Sequence, residues 1–279
     1  MARKGYIEFG ANPWTGATAG LKKRAMLADA GKREKGYAEA DLAALLTADP
    51  NAGKRWKYGS AIHDLLRIGL LTGARQNELC SLTRSRIVPP QTHEGALWAL
   101  IVTPDVGKTE NASRLVPLHP FVQPIIARRL AEADPDGDAL LFPELPPGGP
   151  DNKMSWVFSK RFGDFRKFVL GAEDTHDFHD LRRTFMTYFA LAAAKGAQGC
   201  TTVIRDRLVG HASAALGDRV YVGDLGREVS ECAILETVDK GMPDQMEGSK
   251  NRELKTFLPD FGDARLVLKV LDDDFRSTF

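Results

Sequence analysis

The stretch DTHDFHDLRRTF, residues 174–185, sets His176, His179 and Arg182 three residues apart at the head of an apolar helix. Residues three apart on a helix share a face. The pattern therefore admits two chemistries: imidazoles holding a metal ion, or an imidazole and a guanidinium holding a phosphate. A metal needs further ligands at a suitable spacing, and the chain has neither an H-E-x-x-H helix nor cysteines close by. The phosphate reading survives this test.

Outward from that helix the period stays mostly helical. Acidic residues open the segment from Glu39, AEADLAALL, and leucines follow them, the order favoured at a helix N-terminus. Ile62, Leu65, Leu66 and Leu70 space a second helix over Gly59–Leu71, stopped by Thr72-Gly73. A third covers Gln76–Leu82. The period then changes: ALWALIVTP (96–104) and RLVPL (114–118) read as strands joined by the turn-rich DVGKTENAS, which makes a hairpin. Phe121–Ala133 is helical again, and PDGDALLFPELPPGGPDNK is a loop by its Pro and Gly content. Residues 155–169, 180–195 and 201–209 complete the helical set. The tail holds two weakly amphipathic pieces, ECAILETVDKGM and ARLVLKVLDDDF. The expected fold is mainly α (α+β), with one small antiparallel sheet and no internal repeat.

Composition narrows the class. With 43% hydrophobic and 27% charged residues among 279, the chain can bury a core in one or two domains. Its longest weakly polar run, Phe185–Ala194, is far short of the ~20 apolar residues a membrane span needs. MARKGYIEFGANPW has no apolar stretch behind its basic residues, so a secretory signal is not expected and a cytoplasmic location is. Cys80, Cys200 and Cys232 are odd in number and far apart, which argues against a disulfide framework or a cysteine zinc site. Charge is unevenly placed: residues 1–221 carry 30 basic against 24 acidic side chains, residues 222–279 carry 8 against 13. Lys22-Lys23-Arg24, Lys32-Arg33-x-Lys35, Lys54-Arg55-x-Lys57 and Lys160-Arg161 with Arg166-Lys167 are candidate contacts to a phosphate backbone, although any one cluster alone is equally a solvated surface run.

Four places carry chemistry, in a fixed order. LLTGARQNEL (70–79) puts Arg75 after a glycine turn and Glu78 in the short helix behind it. Lys108 lies in the hairpin connector, HDLRRTF (179–185) holds His179 and Arg182, and LVGHASAALGDRVYV (208–222) holds His211 after Gly210, then Tyr221. This order resembles the catalytic domain of the tyrosine recombinases, the phage-integrase family of DNA strand-exchange enzymes, over roughly residues 36–225. That family has an arginine in a T-G-x-R-x-x-E-L turn, a hairpin lysine, a His-x-x-Arg box, a Gly-His and then the tyrosine nucleophile.

The chemistry suits those residue types. Paired guanidiniums match the non-bridging oxygens of a phosphodiester under attack, which assigns Arg75 and Arg182 to a clamp. Reaching the phenolate of a tyrosine with pKa about 10 costs about 4 kcal/mol at neutral pH, so Tyr221 needs a base or a positive field, and His179 is the expected base. The departing 5′ oxygen needs a proton, expected from Lys108, with Lys153 in a polar loop as the rival. His211 is assigned a hydrogen bond to a non-bridging oxygen or the nucleophile, and Glu78 the orienting of its neighbours. Arg183 is expected to face away from the clamp and Tyr188 to be core. His176 is left with capping or a DNA-backbone contact, and His63, His93 and His119 with structural or exposed roles.

The resemblance implies double-stranded DNA as substrate, with no cofactor and no metal. It also implies a homotetramer on two duplexes, and an accessory DNA-bending protein as a further candidate partner. Residues 1–35 are expected to be a linker or the remnant of a missing N-terminal DNA-binding domain, leaving half a clamp and weaker DNA affinity. Residues 36–224 are the expected catalytic domain, and 225–279 a C-terminal extension that docks on a neighbouring subunit or folds over its own site. Two alternatives share this pattern: a type IB topoisomerase that relaxes DNA, and a DNA-binding protein of the same fold that does not cut.

Overall fold

A computed structural model of the chain describes residues 36–51, 56–90, 97–103, 113–135, 137–211, 227–237 and 240. Eight α-helices and three strands lie among them. The helices are α1 (Glu39–Thr47), α2 (Gly59–Thr72), α3 (Gln76–Cys80), α4 (Gln123–Glu132), α5 (Ser155–Leu170), α6 (Phe178–Ala194), α7 (Thr202–Val209) and α8 (Arg227–Glu236). The strands are β1 (Ile87–Val88), β2 (Ala99–Val102) and β3 (Arg114–Pro117), antiparallel in the order β1-β2-β3, with Leu100 opposite both Ile87 and Val116. The hairpin and the mainly helical class agree with the sequence pattern. β1 was not expected, because two residues are too short to show a period of two. The third helix stops at Cys80 rather than Leu82, where Leu82 N–H turns back to Leu79 O at 3.2 Å.

The centre of the fold is the crossing of α2 and α6. A Cβ added at Gly69 would stand 2.7 Å from Phe178 Cζ, so only glycine lets the two helices approach this closely. The Gly73 turn that ends α2 has φ +62°, and an added Cβ there would stand 2.5 Å from Phe185 Cδ1. α5 covers the other side of α6 with Phe158 and Phe162, which meet Phe178 edge-on at 5.5 and 5.3 Å. The α6 start is held by a capping box: Asp177 accepts from Asp180 N–H at 3.1 Å, and Asp180 accepts from Asp177 N–H at 2.8 Å.

A buried ion network ties α2 to α4. Asp64 receives two 2.7 Å bonds from Arg128 and one from Arg129 Nε, while Arg129 Nη1 reaches Glu144 at 2.7 Å. These satisfied charges are costly to break singly, because either partner alone would be left buried. At the far end, α8 packs on the sheet and α7 of its own chain, and Glu231 accepts from Leu97 N–H at 3.1 Å. Among the described residues no helix is long and apolar enough to cross a membrane.

His119 shows the structural role one of the unassigned histidines takes. It is 4% exposed, its Nδ1 accepts from Phe121 N–H at 3.2 Å, and burial pushes its pKa down to about 4. A depressed imidazole pKa makes stability complete above the ordinary value of about 6.5 and lost as pH falls toward 4. Between pH 7 and 5 this one group is expected to cost the fold about 2 kcal/mol. Urea unfolding of wild type and His119→Gln at both pH values should show that excess loss only in wild type; parallel pH dependences would contradict it.

Candidate active site

The site grows from the corner between α2 and α3. Thr72 Oγ1 donates back to Ile68 O and accepts from Ala74 N–H at 3.2 Å, fixing the turn, after which Arg75 opens α3. Glu78, three residues on, folds back so that its Oε2 accepts from Arg75 N–H at 2.7 Å and its Oε1 from Arg75 Nη1 at 2.9 Å. The same carboxylate takes a two-pronged contact from Arg114 at the start of β3, with Nη2 to Oε2 at 2.7 Å and Nη1 to Oε1 at 3.2 Å. Burial pushes the Glu78 carboxyl up, but the Arg114 and Arg75 guanidiniums more than offset that and hold it below the usual carboxylate range.

The two arginines also grip the end of α7. Arg114 Nε donates to Leu208 O at 2.8 Å and Arg75 Nη2 to Gly210 O at 3.3 Å, placing cations at a helix C-terminus. Gly210 caps α7 at φ +66°, and a Cβ added there would stand 2.7 Å from Arg114 Nη1. The next residue, His211, is thereby anchored beside the cluster. Its side chain is exposed, with Nδ1 3.9 Å from Asp206 Oδ1.

Arg182 comes from the second turn of α6. It is 1% exposed and donates Nη1 to Gly73 O at 2.8 Å, yet its Nε and Nη2 have no hydrogen-bond partner among the described residues. Burial and the neighbouring Arg75 and Arg114 charges pull its pKa down to about 9, against a smaller opposing pull from Glu78. The side chain stays cationic at neutral pH, so the shift reports crowding by like charges. Among the described residues three guanidiniums, of Arg75, Arg114 and Arg182, face the one carboxylate of Glu78, an excess of two positive charges. Buried donors without partners and uncompensated charge together describe an anion site.

His179 lies one turn before Arg182 on the exposed start of α6. Burial and the Arg182 and Arg183 charges lower its pKa, with Asp177 and Asp180 opposing. Burial and Arg182 lower that of His211 too, Asp206 opposing. Both imidazoles are therefore biased toward the neutral form that accepts a proton.

Thus Arg75, Glu78, His179, Arg182 and His211 belong to one electrostatic cluster. Lys108 and Tyr221 lie outside the described residues, as do His93 and the basic clusters at 22–35 and 54–55. Lys153, the rival to Lys108, is exposed and paired with Asp151 at 2.7 Å. Arg183 pairs with Asp180, and the ring of Tyr188 is buried, both as expected.

Two expectations need correction. His176 neither caps α6 nor faces solvent as a backbone contact would. It stacks on Tyr37 at 4.6 Å and bonds Asp174 and Gly36 O, while Asp177 is the cap. Arg166 is 5% exposed and paired with Asp174 at 2.6 Å, so Lys160, Arg161 and Lys167 keep their places on the α5 surface without it. Sequence reasoning missed Arg114, although the alternation of RLVPL puts residues 114, 116 and 118 on one face and Val116 and Leu118 are fully buried. Among the described residues, no group of three or more His, Cys, Asp or Glu is placed to hold a metal ion.

No family model matches the chain, and no curated protein does. Solved structures do. The chain is similar to the XerH site-specific recombinase bound to its difH substrate, at 19% identity and a TM-score of 0.45, covering 67% of this chain and 50% of that one. It is similar to the XerA recombinase at 18% identity and 0.40, covering 71% and 61%. The Tn1549 transposon integrase in complex with circular intermediate DNA gives 23% identity and 0.41, covering 70% and 68%. The chain spans about half the length of the XerH protein. The guanidinium cluster, rather than these likenesses, carries the functional reading.

The unpaired donors give a stability prediction with a definite sign. Replacing Arg182 by methionine removes two unsatisfied buried donors and one repelled charge at the cost of one bond to Gly73 O. Arg182→Met is expected to leave the fold as stable as wild type or about 1 kcal/mol more so, and to abolish any rise in melting temperature with added phosphate. A loss above about 2 kcal/mol in chemical unfolding would show the guanidinium to be structural.

Proposed function

We propose that the chain is the catalytic domain of a site-specific tyrosine recombinase, cutting and rejoining DNA through a 3′-phosphotyrosine intermediate. The observation that carries this is Arg182: a buried guanidinium with two unpaired donors, beside Arg75, is what a scissile phosphodiester would satisfy. Arg75 and Arg182 neutralise charge as it builds on the non-bridging oxygens, so they bind the transition state more tightly than the ground state. Tyr221 Oη attacks phosphorus and passes its proton to His179. The bond to the 5′ oxygen breaks as Lys108 supplies that oxygen's proton. His211 donates to a non-bridging oxygen. The tyrosyl ester keeps the phosphodiester energy, so a 5′ hydroxyl from another strand reverses the step and reseals DNA without ATP or metal.

Duplex DNA would meet exposed basic side chains such as Lys160, Arg161 and Lys167 on α5. Assembly as a tetramer on two duplexes is part of the same reading. Docking of the 225–279 extension onto a neighbouring subunit, or its folding over its own site, belongs to the same reading. A resident base of lowered pKa makes cleavage rise as pH passes through a value below the usual histidine 6.5 and level off near neutrality.

Nicked duplexes carrying a 5′-bridging phosphorothiolate within a target sequence first selected by binding to the chain from a random pool trap such an intermediate, because the released thiol reseals poorly. A denaturation-resistant protein–DNA adduct is expected from the wild-type chain and none from Tyr221→Phe. His179→Gln should slow adduct formation and flatten its acid limb. An adduct from Tyr221→Phe, or none from wild type, overturns the proposal. Plasmid relaxation without joining of separate duplexes would instead assign the chain to the topoisomerases.

A further inference from the structure

The cluster contains one more arginine than a two-guanidinium clamp requires. Arg114 differs in kind from its neighbours: its side chain is 2% exposed against 28% for Arg75. It grips Glu78 with both terminal nitrogens, and its Nε holds Leu208 O, two residues before Gly210. The Gly210 backbone lies against the guanidinium so closely that no side chain fits between them.

Building on the recombinase reading, we infer that Arg114 is a positioning residue, which neutralises Glu78 so that the Arg75 charge remains available to the phosphate, and fixes the α7 end that carries His211. The charge count explains why it is needed. Glu78 orients Arg75 through bonds to both its backbone and its guanidinium. A buried carboxylate with Arg75 as its sole cation would hold that arginine as a closed pair and remove one of the positive charges that the described residues bring to the cluster. A second guanidinium, itself sequestered, removes the conflict: Glu78 can position Arg75 without consuming its field. The fork also explains the residue type, since a paired contact to the carboxylate and a third bond to the α7 carbonyl need a planar guanidinium rather than an ammonium.

Double-mutant logic separates this role from simple packing. Calorimetric titration of the full chain with inorganic phosphate is expected to show binding about tenfold or more weaker in Arg114→Met than in wild type. The added substitution Glu78→Gln should restore most of it, because the uncompensated carboxylate is gone. Arg114→Lys, which keeps the charge, should stay near wild type in phosphate affinity yet form the trapped adduct slowly, because the bond to Leu208 O is lost. Melting curves identify any variant that fails to fold; if Arg114→Met does, the lysine variant and the double mutant carry the test. Equal phosphate binding by wild type and Arg114→Met, no rescue by Glu78→Gln, or no phosphate binding by wild type overturns the inference. Phosphate binding with the expected rescue, but no adduct from wild type, leaves Arg114 its role and removes the recombinase reading instead.

Discussion

A single buried carboxylate organises the site. Glu78 sits where α3, β3 and the end of α7 meet, and each arrives there through a positive charge or a carbonyl held by one. Elements far apart in sequence, at 75–78, 114 and 208–211, are thereby held in one place by charge-assisted bonds. The arrangement is costly without a ligand. Among the described residues three guanidiniums surround one carboxylate and repel each other, and two donors of Arg182 have no partner. Strain of this kind survives only where the surrounding fold over-determines it, and here the α2–α6 crossing does so through Gly69, Gly73 and Phe185.

The helix bearing His179 and Arg182 is also the helix to which the start of the described chain is fastened. Gly36 O meets His176, Tyr37 N–H donates to Thr184 Oγ1 at 2.9 Å, and Tyr37 Oη donates to Asp177 O at 3.0 Å. Asp174 links this group to Arg166 on α5. The imidazole that looked like a ligand in the sequence is thus part of the fastening, and the capping box of Asp177 and Asp180 sets the direction of the first turn of α6. The histidine and arginine of the site inherit their placement from these contacts.

Much of the helical framework was legible, because α2, α5 and α6 bury broad apolar stripes whose period is unambiguous. Arg75, Glu78, His179, Arg182 and His211 were legible through the order of their motifs and the family resemblance it carries, not through any one local setting. Other features were not. β1 is too short to carry a pattern. Asp64 with Arg128 and Arg129 forms an ion network across helices that no local spacing announces. His176 takes Tyr37 and Gly36 O from a distant segment, and Arg166 turns inward to Asp174 eight residues on, neither of which the basic or histidine pattern around them announces. Arg114 was half legible: its strand alternation pointed inward, but its purpose depends on Glu78, 36 positions away. The places of Lys108 and Tyr221 in the cluster belong to the proposed chemistry, since both lie outside the described residues.

The proposed reading turns on whether the Arg182 donors that have no partner among the described residues bind a phosphate oxygen. Nitrogen-15 labelling of arginine side chains in the full chain, with the Arg182 Nε–H signal assigned through Arg182→Lys, reads this directly during titration with inorganic phosphate. The account predicts a saturable shift of that signal with slowed hydrogen exchange, shared by Arg75 and absent from exposed Arg161. An Arg182 signal that stays unmoved across the titration would contradict it.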